Sequence, residues 1–180
     1  GFLCSTCHND LGTWSRYESA EVTFPSGATV SFDDPDANLC LNCHQGRSSS
    51  ASVTAAVEGI GADTVGENLR FINIHYFAAG ATLFGSVTSG GFEYPGQEYV
   101  GQFNHVDSFN TCTECHNSHT QEVEIAACAG CHTGADADLT SIRISETDFD
   151  GDGDVAEGLA GEIATMTEAL YAAMQAYAAD

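Results

Sequence analysis

The amino-acid sequence predicts a mostly irregular fold with short β-hairpins, a few short helices and one C-terminal α-helix. Three observations lead to this class. A five-residue phrase, C-x-x-C-H, occurs four times in 180 residues. Between these phrases, apolar and polar residues alternate over only a few positions before Gly or Pro interrupts them, as in short strands. Near the end of the chain, apolar residues recur every three or four positions, which predicts a longer helix.

The repeated phrase is the attachment signature of a c-type haem. Its two thiols add to the two vinyl groups of one porphyrin, and the histidine that follows supplies the proximal ligand of the iron. The four phrases use all eight cysteines of the chain: Cys4, Cys7, Cys40, Cys43, Cys112, Cys115, Cys128 and Cys131. The proximal histidines are His8, His44, His116 and His132. The sequence therefore predicts four haem c groups.

Zinc knuckles are the alternative use of paired C-x-x-C motifs. A zinc site needs four Cys or His ligands, but no His directly after each second Cys. All four phrases carry that His, which favours haem. Four haems in 180 residues leave little protein around each porphyrin, so the porphyrins replace much of the side-chain core. We therefore predict one haem-cored multihaem cytochrome domain over residues 1–180, with residues 148–178 as a C-terminal subregion.

The charge of the chain is strongly negative, at −22, because 26 acidic residues face four arginines and no lysine. Nucleic-acid binding is excluded in effect, since no basic surface could meet the phosphates. An anionic membrane surface would also repel the chain. No run approaches the ~20 apolar residues of a membrane span. Because haem is attached to such motifs outside the cytoplasm, we interpret Gly1 as a processed end and expect an extracellular, cell-surface or periplasmic protein.

The elements between the motifs are predicted to be short. Residues 17–32 form a hairpin around a Pro-Ser-Gly turn, and residues 51–58 form a helix after a serine-rich start. The cysteine-free insertion 71–103 has three predicted strands, at 81–84, 91–94 and 98–100. Packing over haem is its expected role, and an intersubunit contact is the alternative. The last helix runs to about Tyr177, with one apolar face formed by Leu159, Ile163, Met166, Leu170 and Met174.

Two motifs have direct consequences for haem placement. Only eleven residues separate His116 from Cys128, so the third and fourth porphyrins are predicted neighbours, as electron hopping requires. Arg47, three residues after a proximal histidine, is a candidate partner for a haem propionate. An exposed arginine is the equally weighted alternative.

Three histidines remain after the proximal ones are assigned: His75, His105 and His119. Four irons each need a sixth group, so we predict all three as distal ligands. His119 lies three residues after His116, on the proximal side of that haem, and should therefore serve a different haem. The fourth iron is left to Met166, Met174, the Gly1 amine, a histidine of another protein, or nothing.

Five acidic residues crowd a loop before the last helix. The run resembles the start of an EF-hand calcium loop, with carboxylates at alternate positions and Gly at the sixth. Leu159 stands at the twelfth position, where an EF-hand has Glu, and Glu157 could close the site instead. We predict a structural Ca²⁺, since the carboxylates would otherwise repel one another. The candidate ligands are Asp148, Asp150, Asp152, Asp154 and Glu157.

Together these residues resemble the multihaem c-type cytochromes of extracellular electron transfer. The features in common are the four haem motifs, the run Asn-Ile-His-Tyr at 73–76, the phrase Cys-His-Asn-Ser-His at 115–119 and the Asp-rich loop. The resemblance implies haems ligated by two histidines. It also implies, for some members, polymerisation into filaments whose haems form one continuous stack.

The expected function is electron transfer without substrate chemistry, as a subunit of an extracellular filament made of copies of this chain. Other redox proteins or extracellular acceptors would be its partners. A soluble periplasmic shuttle is the first alternative, and a reductase that uses the under-ligated haem is the second. The reductase is disfavoured because four arginines supply an anion site poorly. A third reading makes the chain a piece of a larger cytochrome, or a subunit of a mixed complex.

Overall fold

The structure is a computed structural model that describes residues 2–134 and 138–179. The chain divides into two compact units, residues 1–114 and 115–180. The first unit begins with helix α1 (Cys4–Cys7) and a small antiparallel pair, β1 (His8–Asp10) with β2 (Ser15–Arg16). The elements that follow in this unit are β3 (Val22–Thr23), β4 (Thr29–Val30), α2 (Pro35–His44), α3 (Ser50–Val57), α4 (Ala79–Phe84) and a 3₁₀ turn at Gly85–Val87.

Helix α2 is the centre of the first unit. Asp34 caps it by accepting a hydrogen bond from the amide of Asp36 at 2.9 Å, and Pro35 occupies the first turn, where a missing N–H costs nothing. Leu41 is fully buried and packs in a core with side chains from the β3–β4 hairpin and α4. The core comprises Val22, Phe24, Val30, Leu41, Ala81 and Phe84.

Asn38 fastens the β3–β4 hairpin to α2. Its Oδ1 accepts from the amide of Phe32 at 2.6 Å, and its Nδ2 donates to the carbonyls of Ala20 and Phe32. Asn38 is only 2% exposed, so these bonds satisfy its own buried polar atoms. The hairpin predicted over residues 17–32 is therefore confirmed, although its ladder is only two residue pairs long.

The insertion 71–103 differs from its prediction. The predicted strand 81–84 is wrong, because those residues belong to α4, whose Gly80, Ala81 and Phe84 are buried. The predicted strands 91–94 and 98–100 are wrong as well, since both segments are irregular. Their backbone groups bond locally instead: the amide of Tyr94 donates to the Tyr99 hydroxyl, and the Val100 carbonyl accepts from Ser86. The helix predicted at 51–58 is confirmed as α3.

Three helices belong wholly or partly to the second unit: α5 (Cys112–Cys115), which spans the boundary, α6 (Ile125–Cys128) and α7 (Leu159–Ala179). A 3₁₀ turn, Leu139–Ser141, precedes the acidic loop. Helix α7 confirms the predicted C-terminal helix, yet its apolar face is exposed, with Ile163, Leu170 and Met174 at 60–62%. Every buried apolar side chain among the described residues belongs to the first unit. Within those residues, no helix combines the length and apolarity needed to cross a bilayer.

Candidate haem attachment sites and the acidic loop

Each C-x-x-C-H phrase is folded as a helical turn. The phrases coincide with α1, the end of α2, α5 and the turn that follows α6, where the amide of His132 donates to the Cys128 carbonyl at 2.9 Å. A helical turn puts residues three apart on one face, so both cysteines of a pair can reach the same porphyrin. All eight cysteines lie in described residues, and they form no disulfide with one another. The backbone thus presents each pair in the form that haem attachment requires.

Three proximal histidines are oriented by backbone carbonyls. Nδ1 of His8 donates to the carbonyl of Trp14 at 2.9 Å, and Nδ1 of His116 donates to that of Gln121 at 3.2 Å. Nδ1 of His44 donates to the carbonyl of Phe77 at 2.5 Å. A carbonyl can only accept, so in each ring Nδ1 carries a proton and Nε2 is the nitrogen that could bind a metal. This is the tautomer that ligates iron, and the hydrogen bond fixes the ring and raises its basicity.

The three accepting residues share an unusual backbone conformation. Trp14, Phe77 and Gln121 have φ angles of 58°, 51° and 63°, in the left-handed region that side-chain-bearing residues rarely adopt. Such residues cost about 1 kcal/mol or more relative to glycine and persist where the surroundings dictate them. The same backbone conformation thus occurs at each of the three residues whose carbonyl binds a proximal histidine. It was not visible in the sequence, because φ leaves no signature at Trp, Phe or Gln.

Two of the predicted distal histidines lie in the same kind of turn. The amide of His75 donates to Oδ1 of Asn73 at 2.8 Å, and the amide of His119 donates to Oδ1 of Asn117 at 3.0 Å. Both phrases are therefore Asn-x-His turns in which the asparagine side chain fixes the backbone two residues on. His105 is exposed and packs edge-on against Phe109, with ring centroids 6.3 Å apart.

The turns of His75 and His119 also lie next to proximal histidines. Phe77, two residues after His75, contacts His44, and Gln121, two residues after His119, contacts His116. A second contact ties the first turn to the second motif: the amide of Arg47 donates to the Ile74 carbonyl at 2.8 Å.

Among the remaining candidates for ligation and propionate pairing, those in the described residues have exposed side chains. Met166 and Met174 are exposed on α7, at 42% and 60%. The side chain of Arg47 is exposed, beyond the end of α2. The Gly1 amine lies outside the described residues.

The acidic loop brings together most of its predicted ligands. Carboxylate oxygens of Asp150, Asp152 and Glu157 lie within 4.8 Å of one another, and those of Asp148, Asp150 and Glu162 form a second such group. Asp154 belongs to neither group and is exposed, with its carboxylate accepting from the amide of Ala156. Asp150 Oδ2 and Glu157 Oε1 are buried oxygens without a hydrogen-bond donor.

Glu162 was missed by the sequence reasoning, because it lies five residues beyond Glu157 and inside α7. It is 1% exposed and forms an ion pair with Arg143 at 2.5 Å. Its other oxygen accepts from the amides of Phe149 and Asp150 at 2.7 and 2.8 Å. Arg143 also donates to the Glu157 carbonyl, so this buried pair holds the loop against the start of α7.

The carboxyl groups in and beside the loop differ in the direction of their pKa shifts. Burial, and then the neighbouring Asp150 and Asp152, raise the pKa of Glu157 above its ordinary value. The amide of Gly151 lowers the pKa of Asp148 by bonding its charged form. Burial alone would raise the pKa of Glu162, but the Arg143 guanidinium and two amides hold it below its usual value. Glu157 is therefore the carboxyl group with the greatest gain from a cation.

The chain is similar to curated bacterial proteins. It is 29% identical over 175 residues to the C-type polyheme cytochrome OmcB of Geobacter sulfurreducens. This match covers 73% of this chain and 22% of the relative. It is also 29% identical over 145 residues to the C-type polyheme cytochrome OmcC of the same species, covering 72% of this chain and 17% of that relative. The chain thus spans about a fifth of the length of the curated relatives it matches. No protein-family model and no solved structure matches it.

The attachment turns, the oriented histidines and these similarities define one class of protein. In these features the chain is similar to the multihaem c-type cytochromes.

Proposed function

We propose that this chain transfers electrons through four covalently attached haems. The observation that carries the proposal is the orientation of the proximal histidines, three of which donate from Nδ1 to a backbone carbonyl, so that Nε2 is the nitrogen that would bind iron. Haem supplies one-electron chemistry when bound, and the protein supplies attachment, axial ligands and burial. We propose His8, His44, His116 and His132 as the proximal ligands, each behind its own pair of thioethers.

His75, His105 and His119 are proposed as distal ligands. A distal ligand must approach the iron from the face opposite the proximal histidine. The turn of His75 lies behind the ring of His44, and the turn of His119 lies behind that of His116, on the Nδ1 side. We therefore propose that each serves a haem other than the one attached beside it. This arrangement would tie neighbouring haems together and favour six-coordinate, low-spin iron.

We further propose that the chain is an extracellular subunit of a cytochrome filament. Many large apolar side chains are exposed among the described residues, including Leu170, Tyr171 and Tyr177 on α7 and Phe71 in the insertion. Porphyrins and neighbouring subunits are the surfaces that would cover them, since exposed apolar patches of this kind mark contact sites. A soluble periplasmic shuttle is the alternative, in which porphyrins alone would cover these apolar side chains.

Electron microscopy of the native extracellular fraction tests the filament. Ordered fibres with one copy of this chain per repeat would support it, whereas discrete particles alone would refute it in favour of the shuttle. Low-temperature EPR tests electron transfer itself against a reductase. Four low-spin ferric signals, unchanged by cyanide or nitrite, are expected. A high-spin signal from about a quarter of the iron, lost on adding nitrite, would favour the reductase.

The acidic loop is proposed as a structural Ca²⁺ site. Its support is the two buried carboxylate oxygens of Asp150 and Glu157 that no donor meets, in a cluster of oxygen ligands of the type Ca²⁺ prefers. Thermal unfolding should shift upward with millimolar Ca²⁺ relative to chelator, since a cation that binds only the folded state stabilises it. The shift should disappear in Asp150→Asn and persist in Asp154→Asn, because Asp154 lies outside both clusters. A shift absent from the parent protein would refute the site.

A further inference from the structure

The second and third attachment motifs are in direct contact, although 68 residues separate Cys43 from Cys112 in the sequence. The hydroxyl of Thr113, inside the third motif, donates to Oδ2 of Asp34 at 2.7 Å. Asp34 is the residue that caps α2, the helix that carries the second motif. Thr113 is only partly exposed, so this bond is shielded from competition with water.

The attachment cysteines meet at the same place. The thiols of Cys40 and Cys112, the first cysteines of the two motifs, are close enough to interact. This contact, with burial opposing it, lowers the pKa of Cys40 to about 7. With haem attached, both sulfur atoms would be thioethers, each bonded to the edge of its own porphyrin. Two porphyrins attached at these neighbouring cysteines would have their edges close together.

We propose that the Asp34–Thr113 and Cys40–Cys112 contacts make the second and third haems neighbours that exchange electrons directly. The inference rests on the proposed electron-transfer function and adds the order in which electrons pass between the haems. An electron that passes between the two irons oxidises one from ferrous to ferric and reduces the other from ferric to ferrous. No bond is made or broken and no proton moves. The short tether between the third and fourth motifs extends the order, so that electrons run through motifs two, three and four in turn.

The test is a redox titration of the haem-loaded full chain, followed by NMR signals that report each haem separately. Reduction removes a positive charge, so reducing one haem lowers the electron affinity of its neighbour through space. Between the second and third haems, we expect reduction of one haem to change the electron affinity of the other several-fold. This change should be larger than the change between the first and second haems or between the first and third. An effect for the second and third haems that is no larger than these would overturn the proposal.

Variants at Thr113 test whether the contact sets this coupling. Thr113→Val removes the hydroxyl that binds Asp34, and we expect the coupling between the second and third haems to fall at least twofold. Thr113→Ser keeps the hydroxyl and should keep the coupling. Unchanged coupling in Thr113→Val would refute the role of the contact. Failure of the proposed function has a different signature, namely irons that do not cycle between ferric and ferrous.

Discussion

Gly80 is the point at which α4 crosses α2, and a single methyl group there tests the packing around the second haem motif. A Cβ at this position would lie 2.8 Å from Cδ2 of Leu41 and 2.9 Å from the carbonyl oxygen of His44. Leu41 is fully buried, and the carbonyl belongs to the backbone, so neither atom can easily move away. Overpacking of this kind costs about 1–3 kcal/mol.

The net effect of Gly80→Ala also includes a favourable term. Alanine in place of glycine within a helix gains roughly 0.5–1 kcal/mol. We therefore expect a net loss of about 0.5–2 kcal/mol in the free energy of unfolding, measured by urea denaturation of the haem-loaded chain. Gly91→Ala is the matched control, because a Cβ at Gly91 meets nothing within 4 Å. It should be neutral or slightly stabilising.

The same variant should affect the proximal histidine. Helix α4 begins two residues after Phe77, whose carbonyl accepts from Nδ1 of His44. Displacing α4 from His44 should weaken that bond and lower the basicity of the ligand, which destabilises ferric iron and raises the reduction potential of the second haem. If Gly80→Ala proves as stable as Gly91→Ala and leaves all potentials unchanged, the close crossing of α4 and α2 is refuted.

Three further predictions concern the hairpin, the loops and the terminal helix. Asn38→Leu should lower the unfolding free energy by about 1–3 kcal/mol, because it removes three hydrogen bonds between α2 and the hairpin. Asn42→Leu, at an exposed position, should cost less; urea denaturation measures both. Gln121→Gly should be more stable than Gln121→Ala by about 1 kcal/mol in the same assay, since only glycine adopts a φ of 63° without strain; equal stability would contradict the assigned conformation. Because its pKa is lowered in the folded protein, the Glu162 carboxylate stabilises the fold above the ordinary pKa of 4.5, and this stabilisation is lost as the pH falls through the lowered value. Acid titration followed by circular dichroism should therefore show a smaller acid-dependent loss of stability in Glu162→Gln than in the parent protein.

The sequence predicted best what is encoded by short-range covalent spacing. C-x-x-C-H predicts haem attachment because two thiols and a histidine would have to reach one porphyrin, whatever surrounds them. Each phrase forms the helical turn that such attachment needs. The hairpin around Pro25–Gly27 and helix α7 followed from turn chemistry and from periodicity, both of which are local. The distal histidines and the number of haems remain predictions.

Features that depend on tertiary structure were mispredicted or missed. The alternating stretch 81–84 reads as a strand, but Leu41 offers a surface onto which Gly80, Ala81 and Phe84 pack together as a helix. Glu162 lies beyond any loop template and becomes part of the acidic cluster only because α7 begins against the loop. The contact between Cys40 and Cys112 joins positions 72 residues apart, a separation that no local pattern spans.

The use of backbone carbonyls to orient the proximal histidines has a consequence for how such a chain evolves. Every residue carries a carbonyl, so no point substitution can delete the acceptor at positions 14, 77 or 121. A substitution there acts only through the backbone conformation, whose positive φ favours glycine. An insertion or deletion, by contrast, can change the length of the loop that places each carbonyl next to its histidine ring. We expect insertions and deletions in descendants of this gene to avoid residues 8–14 and 116–121, even where the side chains between them have diverged beyond recognition.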